Sequence, residues 1–60
     1  MSDPLDIREA ARLVGLSYRT LYGLAAERRI PHYKISNRLR FDRAELEEWL
    51  SARRVPERVK

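Results

Sequence analysis

The chain has 60 residues, a net charge of +4 from 13 lysines and arginines against 9 aspartates and glutamates, a pI near 10.1, and no cysteine. A chain this short forms one small core without disulfides or thiolate zinc sites, and it rarely builds the cleft that an enzyme needs. It also lacks a signal peptide and any apolar run approaching the roughly 20 residues of a membrane helix, so we expect a cytoplasmic protein. The positive charge and high pI predict a polyanion as its partner.

The first predicted helix begins at Asp6. Asp6 and Glu9 have the spacing of a capping box, and Leu5 before them can pack onto Ala10 one turn later. Apolar residues then recur at helical spacing and form one stripe for the core. The stripe consists of Ile7, Ala10, Ala11 and Val14. Gly15 can take the left-handed conformation that ends a helix.

A second helix is predicted to begin at Ser17, a good N-cap, and to run to about Glu27 or Arg29. The two helices are then joined by a short turn that contains Gly15, which is the sequence form of a helix-turn-helix. Helical periodicity separates a core arc from an exposed arc on the second helix. The core arc is Leu21, Leu24, Ala25 and the stem of Arg28. The exposed arc is Arg19, Tyr22, Gly23 and Ala26.

Polar and aromatic side chains cluster where the second helix begins, at residues 17–20. Backbone N–H groups and the positive end of the helix dipole favour phosphate there. The hydroxyl of Thr20 either faces a ligand or belongs to the Ser17 cap. Gly23 costs roughly 0.5–1 kcal/mol relative to alanine, and it either lets the helix approach a ligand surface closely or is merely tolerated.

A basic hairpin is predicted after Pro31, where the sequence period changes from that of a helix to that of a strand. Two alternating runs flank Ser36-Asn37, and asparagine tolerates the positive φ of a tight turn. The apolar members are Tyr33, Ile35, Leu39 and Phe41, and the polar ones are His32, Lys34, Arg38 and Arg40. We expect the apolar face to pack on the helices and the three lysine and arginine side chains to face solvent as a basic wing.

A third helix is predicted from a second capping box, formed by Asp42 and Glu45. Its apolar stripe is Leu46, Trp49 and Leu50. We interpret Trp49 as the largest core residue, in preference to a platform for stacking nucleic-acid bases. The three glutamates at 45, 47 and 48 are expected on its solvated face, and residues 53–60 form a basic flexible tail.

The positive charge is concentrated in one segment. Residues 17–41 carry six cations against one acid, whereas residues 42–50 carry a net charge of −3. Eleven of the thirteen cations are arginine, whose planar fork suits phosphate and guanine edges better than lysine does. We therefore favour a polyanion as partner, although an arginine-rich surface also accompanies a high-GC genome or thermal adaptation.

Catalytic and cofactor interpretations find no support in the residue spacing. The two glycines, eight residues apart, fit neither a dinucleotide-binding loop nor a phosphate-binding loop. His32 is the only histidine and has no second metal ligand at a recognisable spacing, so it is a strand residue near a phosphate or a surface imidazole. Glu45 and Glu48 lie one turn apart but lack the partners that general acid–base catalysis needs. We expect no enzyme activity, no metal and no cofactor.

These residues together carry a family resemblance. The stretch from Leu5 to Tyr22, LDIREAARLVGLSYRTLY, resembles the opening of excisionase-type DNA-binding domains, which are small winged-helix relatives of MerR-type regulators. The segments IP at 30–31, KI at 34–35, RLRF at 38–41 and LEEWL at 46–50 continue the pattern in order. The chain departs from it at Gly23, where the family usually has a basic residue, and at Ser36-Asn37, where it usually has glycine.

The resemblance implies an α+β, mainly α fold at residues 1–52, a winged helix-turn-helix with three helices and a two-stranded β-hairpin wing. In this family the second helix enters the major groove of double-stranded DNA and the wing follows the neighbouring minor groove or backbone. The implied major-groove positions are Ser17, Tyr18, Arg19, Thr20 and Tyr22. The implied wing and backbone positions are Arg28, Lys34, Asn37, Arg38 and Arg40. Among these residues, Arg19 is the one that we expect to contact a base, by two hydrogen bonds to guanine.

The resemblance also implies a biological role, that of a phage or mobile-element excisionase. Such a recombination directionality factor binds repeated sites cooperatively, bends DNA and directs an integrase without doing chemistry itself, in a bacterial cell or phage-infected host. Ten residues follow Leu50, too few for a dimerising coiled coil, so we expect a monomer that self-associates on DNA. The alternatives are a small transcriptional regulator of MerR-like type and an adaptor for an acidic protein partner.

Overall fold

The computed structural model describes residues 3–55, which form three helices and one hairpin. The elements are α1 (Ile7–Val14), α2 (Tyr18–Ala26), β1 (Tyr33–Ile35), β2 (Arg38–Arg40) and α3 (Arg43–Ala52). The predicted architecture, a mainly helical winged helix-turn-helix, is confirmed. Of the expected tail, Arg53 is the C-cap of α3, and residues 56–60 lie outside the described part of the chain.

The ends of α1 follow from local chemistry. The Asp6 carboxylate accepts a hydrogen bond from the Glu9 N–H at 2.8 Å, and the Glu9 carboxylate accepts one from the Asp6 N–H at 3.0 Å, which is the predicted capping box. Gly15 follows the helix with φ of 75°, and the next N–H, of Leu16, donates to the Ala11 carbonyl at 3.1 Å. These bonds satisfy the terminal groups of α1 and turn the chain sharply into α2.

α2 ends earlier than the sequence predicts, at Ala26. Arg28 takes the left-handed conformation with φ of 58°, and the Arg29 N–H donates to the Leu24 carbonyl at 2.8 Å. This is the same terminating pattern that closes α1, with arginine where α1 has glycine. The placement of the Arg28 stem on the core arc is therefore wrong: Arg28 lies beyond the helix and is exposed, so helical periodicity does not apply to it.

The hairpin is closed by a two-residue turn, Ser36-Asn37, in which both residues have positive φ, 51° and 65°. Positive φ at both central positions is the geometry of a type I′ turn, whose twist matches that of the flanking strands. The strands pair Tyr33 with Arg40, Lys34 with Leu39 and Ile35 with Arg38.

This register corrects the predicted division of the wing into an apolar and a basic face. Residues directly opposite each other in an antiparallel pair have side chains on the same face. Lys34 therefore shares a face with Leu39, which packs against the core, whereas Arg38 shares the other face with Ile35. The two-residue turn puts the alternation of the second strand out of phase with that of the first, so both faces are mixed.

A backbone bridge that sequence reasoning missed ties the N-terminal segment to the end of the hairpin. The Leu5 N–H donates to the Phe41 carbonyl at 2.8 Å, and the Phe41 N–H donates to the Leu5 carbonyl at 2.9 Å. The segment before α1 thus pairs with the residue that follows β2 through a single antiparallel bridge. Both side chains are buried, so the bridge also joins the wing to the core.

The core lies between the three helices and the base of the wing. Its buried residues are Leu5, Ala10, Ala11, Leu21, Ala25, Ile30, Phe41 and Leu46. Phe41 is its largest fully buried side chain, which corrects the interpretation of Trp49 as the largest core residue. Trp49 is half-buried at the edge of the core, where its indole N–H donates to the Arg29 carbonyl at 3.0 Å. The polar ring nitrogen favours this edge position, since an indole N–H needs a partner when it leaves water.

The wing is also attached to α3. The Asp42 carboxylate caps α3 by accepting from the Glu45 N–H at 3.1 Å, as predicted, but the Glu45 carboxylate accepts a hydrogen bond from the Tyr33 hydroxyl at 2.9 Å. The predicted second capping box is therefore only half formed, because Glu45 has a partner on β1. Donation to this carboxylate raises the pKa of the Tyr33 phenol.

Alanine should change the free energy of unfolding in opposite directions at the two glycine positions, 15 and 23. Neither position has an atom within 4 Å of an added Cβ, so the backbone alone decides the outcome. Gly15→Ala forces alanine into a left-handed conformation and should lower the free energy of unfolding by about 1–2 kcal/mol. Gly23→Ala removes glycine from a helix and should raise it by roughly 0.5–1 kcal/mol. Urea titration followed by circular dichroism measures both, and equal signs would contradict this assignment.

Candidate nucleic-acid interface

The outer face of α2 is exposed because its inner face is anchored. Leu21 and Ala25 are buried in the core, which turns the opposite arc of the helix to solvent. The predicted major-groove residues all lie on exposed positions, as expected. They are Ser17, Tyr18, Arg19, Thr20 and Tyr22. Tyr18 and Tyr22 are each 59% exposed, which is a large apolar surface for a helix of a protein this small.

The first turn of α2 is fixed by its cap. The Thr20 N–H donates to the Ser17 hydroxyl oxygen at 3.1 Å, and the Ser17 hydroxyl donates to the Thr20 hydroxyl oxygen at 3.0 Å. Thr20 therefore belongs to the cap, one of the two alternatives for this residue. Its own hydroxyl proton stays available, so it can cap the helix and still donate to an outside acceptor.

A groove of about 640 Å³ separates α2 from the hairpin. The helix side contributes Tyr22, Ala26 and Arg28, and the hairpin side contributes Lys34, Asn37, Leu39 and the two arginines of β2. Six of the ten predicted site residues meet here. They are Tyr22, Arg28, Lys34, Asn37, Arg38 and Arg40. The other four lie outside the groove, exposed at the first turn of α2 and its cap.

The electrostatic character of the groove is strongly positive. Five cationic side chains line it against a single carboxylate, that of Asp6. The five cations are Arg8, Arg28, Lys34, Arg38 and Arg40. α3, which carries the acidic segment, contributes none of the lining residues. A polyanion in this groove thus meets cations from α1, from the end of α2 and from both strands.

Two charged lining residues, Arg8 and Asp6, were not predicted as site residues by the sequence. Arg8 is exposed on α1, and the Leu5–Phe41 bridge together with the shared core brings the start of α1 beside the wing. Asp6 lines the groove as well, although its carboxylate is engaged with the Glu9 N–H. No local signal marks either residue, because their place depends on a contact between chain segments far apart in sequence.

His32 joins the groove as a surface imidazole. Its Nδ1 lies 2.8 Å from the Ile30 carbonyl oxygen, which only accepts, so Nδ1 carries the proton of the neutral ring. Nε2 then remains as an acceptor. Between residues 3 and 55, no group of three histidine, cysteine, aspartate or glutamate side chains is placed to hold a metal ion, and no helix is long and apolar enough to cross a membrane.

The sequence that forms these helices and the wing matches a known domain family. A scan against protein-family models matches residues 4–54 to a helix-turn-helix domain, whereas no curated protein and no solved structure matches the chain. The matched range takes in the bridge at Leu5, all three helices and the hairpin, and it is consistent with the excisionase-type resemblance. The chain therefore belongs to the helix-turn-helix domain family, a class of DNA-binding domain.

Proposed function

We propose that this protein binds double-stranded DNA sequence-specifically, with the outer face of α2 in the major groove and the hairpin on the neighbouring minor groove or backbone. The observation that carries the proposal is the cationic groove beside an exposed helix face, within a helix-turn-helix domain. A helix of about 10–12 Å diameter fits a major groove about 12 Å wide. The wing then lies along the duplex at the open side of the groove.

The residues of α2 supply base recognition in this arrangement. Arg19 is exposed in the first turn of α2, and its planar fork suits the O6 and N7 atoms of guanine. Tyr18 and Tyr22 offer aromatic surface for the methyl group of thymine, and the hydroxyl of Thr20 offers a donor. Gly23 has open space around it, so the helix axis can approach the base edges closely.

Phosphate contacts come from the wing and from the end of α2. Lys34, Asn37 and Arg38 are exposed on the hairpin, and Arg40 is half-buried with its guanidinium donating to the Leu39 carbonyl at 2.9 Å. Arg28 contributes from the opposite side of the groove. These contacts position the protein on the duplex and carry no direct sequence information.

Removing one cation from α2 and, in a separate variant, one from the hairpin should distinguish base recognition from phosphate binding. Arg19→Ala should relax sequence preference, whereas Arg38→Ala should weaken binding to all sequences alike. With about five phosphates neutralised, log affinity should fall with log salt at a slope of roughly −4 to −5. Mobility shift on selected and mixed-sequence duplexes measures both effects. Affinity that is independent of salt would refute the proposal.

Arg28 should lower the stability of the domain and increase its affinity for DNA. Arg28→Gly removes an arginine from a left-handed conformation and should raise the free energy of unfolding by about 1–2 kcal/mol, while DNA affinity falls several-fold because one phosphate loses its cationic partner. Arg28→Lys keeps the charge and the backbone strain, so it should retain most of the affinity without the gain in stability. Urea titration and mobility shift measure the two quantities. A glycine variant with wild-type DNA affinity would remove Arg28 from the interface.

We further propose that the protein acts as a recombination directionality factor, which binds repeated sites and assists an integrase. The resemblance of residues 5–50 to excisionase-type domains supports this role. Cooperative binding of neighbouring copies also has a candidate surface, since Tyr33 and Ile35 share one face of the wing and are 38% and 48% exposed.

Cooperativity tests this role directly. The protein should sediment as a monomer without DNA, yet it should fill tandem copies of a selected site at lower concentration than a single copy. Ile35→Ser should abolish that difference and preserve affinity for the single site, because Ile35 does not line the cationic groove. Independent filling of tandem sites by the wild-type protein would contradict the proposed role.

A further inference from the structure

A second cationic surface lies at the far end of α2, next to the C-terminus of α3. Three arginines and two apolar residues line a depression of about 420 Å³ there. They are Arg28, Arg29, Ile30, Pro31 and Arg53, and we call this surface the arginine depression. It joins two segments that are distant in the chain.

We infer that the arginine depression is a second phosphate-binding surface, which holds DNA backbone beyond the part covered by α2 and the wing. The inference rests on the proposed DNA binding and extends its footprint. It assigns phosphate contacts to Arg29 and Arg53 in addition to Arg28.

The backbone of the depression is held in place without a ligand. The Arg29 N–H donates to the Leu24 carbonyl at 2.8 Å, and the Arg29 carbonyl accepts the Trp49 indole N–H at 3.0 Å. Ile30 is buried in the core, and the ring of Pro31 fixes φ at the next position. Because this segment is already ordered, binding costs little additional conformational entropy.

The side chain of Arg53 is also held in position. The centre of its guanidinium lies 4.2 Å from the centroid of the Trp49 ring, and one of its nitrogens donates to the Trp49 carbonyl at 3.3 Å. A guanidinium has five N–H donors, so most of them remain for a ligand. An arginine supported by an aromatic ring is well suited to bind phosphate through its planar fork.

The depression carries excess positive charge. The nearby carboxylate of Glu27 lies 3.5 Å from a guanidinium nitrogen of Arg29, and both side chains are about two-thirds exposed. Exposed pairs of this kind contribute little, so a phosphate can replace Glu27 as the partner of Arg29. Three arginines against one carboxylate favour an anion with several charges.

The position of the depression favours DNA over an acidic protein. Arg28 lines both the depression and the groove beside the wing, so the two cationic surfaces are continuous. α2 has nine residues and is about 13 Å long, so the depression lies about that far from the base-reading first turn. Duplex DNA carries a charge about every 1.7 Å along its axis, and a duplex bent toward the protein brings further phosphates to this end.

Salt dependence of DNA binding tests the inference. The variants are Arg29→Gln, Arg53→Gln and the double variant, and the charge-matched control is Arg43→Gln, at an exposed position of α3 outside both surfaces. On a long mixed-sequence duplex, the slope of log affinity against log salt should shrink by about 0.9 for each phosphate that is no longer neutralised. The slope of the double variant should therefore shrink by nearly two units, and that of the control should stay at the wild-type value.

Two measurements keep the result interpretable. Arg29→Gln alone removes only an exposed side chain, so its thermal melt should match that of the wild type and its binding reports on the phosphate contact. Arg38→Gln on the wing serves as the positive control for DNA binding. If Arg38→Gln reduces the slope while the double variant matches Arg43→Gln, the second surface is overturned and the proposed function stands. If the wild type itself shows no salt dependence, both are overturned.

Discussion

Two backbone hydrogen bonds between Leu5 and Phe41 tie the segment before α1 to the end of the hairpin. They form a single antiparallel bridge beside the two-stranded hairpin, and the Phe41 ring lies fully buried in the core between helices and wing. Because the bridge fixes the hairpin beside the start of α1, Arg8 and the wing cations come to line one groove with α2. The groove therefore depends on this bridge together with the Tyr33–Glu45 hydrogen bond and the shared core, although neither bridging residue lines it.

The unusual backbone conformations lie within the basic segment. Within residues 3–55, the non-glycine residues with positive φ are Arg28, Ser36 and Asn37. Each left-handed L-residue costs about 1–2 kcal/mol, less for asparagine, which is considerable for a 60-residue domain with a small core. Ser36 and Asn37 form the tip of the wing, and Arg28 lies between the two cationic surfaces. The strained residues belong to the segment that we propose contacts DNA, and functional sites commonly carry such strain.

The charge segregation along the chain becomes a segregation in space. The segment 17–41, with six cations against one acid, supplies most of the groove, whereas the acidic α3 supplies none of it. Each end of α3 makes a hydrogen bond to a segment that carries basic residues. The Glu45 carboxylate accepts a hydrogen bond from the Tyr33 hydroxyl of the wing, and the Trp49 indole donates one to the Arg29 carbonyl. The helix that carries negative charge thus positions both basic surfaces, and most of its own carboxylates stay exposed.

Features that depend on neighbours along the chain could be predicted from the order of residues. The Asp6 and Ser17 caps, the turn at Gly15, the apolar stripes and the exposed face of α2 all follow from residues within about one helical turn of each other. Packing between distant segments set which strand face each wing residue occupies, which partner Glu45 takes, and which cations share the groove. Those outcomes depend on pairing register and on the Leu5–Phe41 bridge, and contacts between distant segments leave no periodic signal in the sequence.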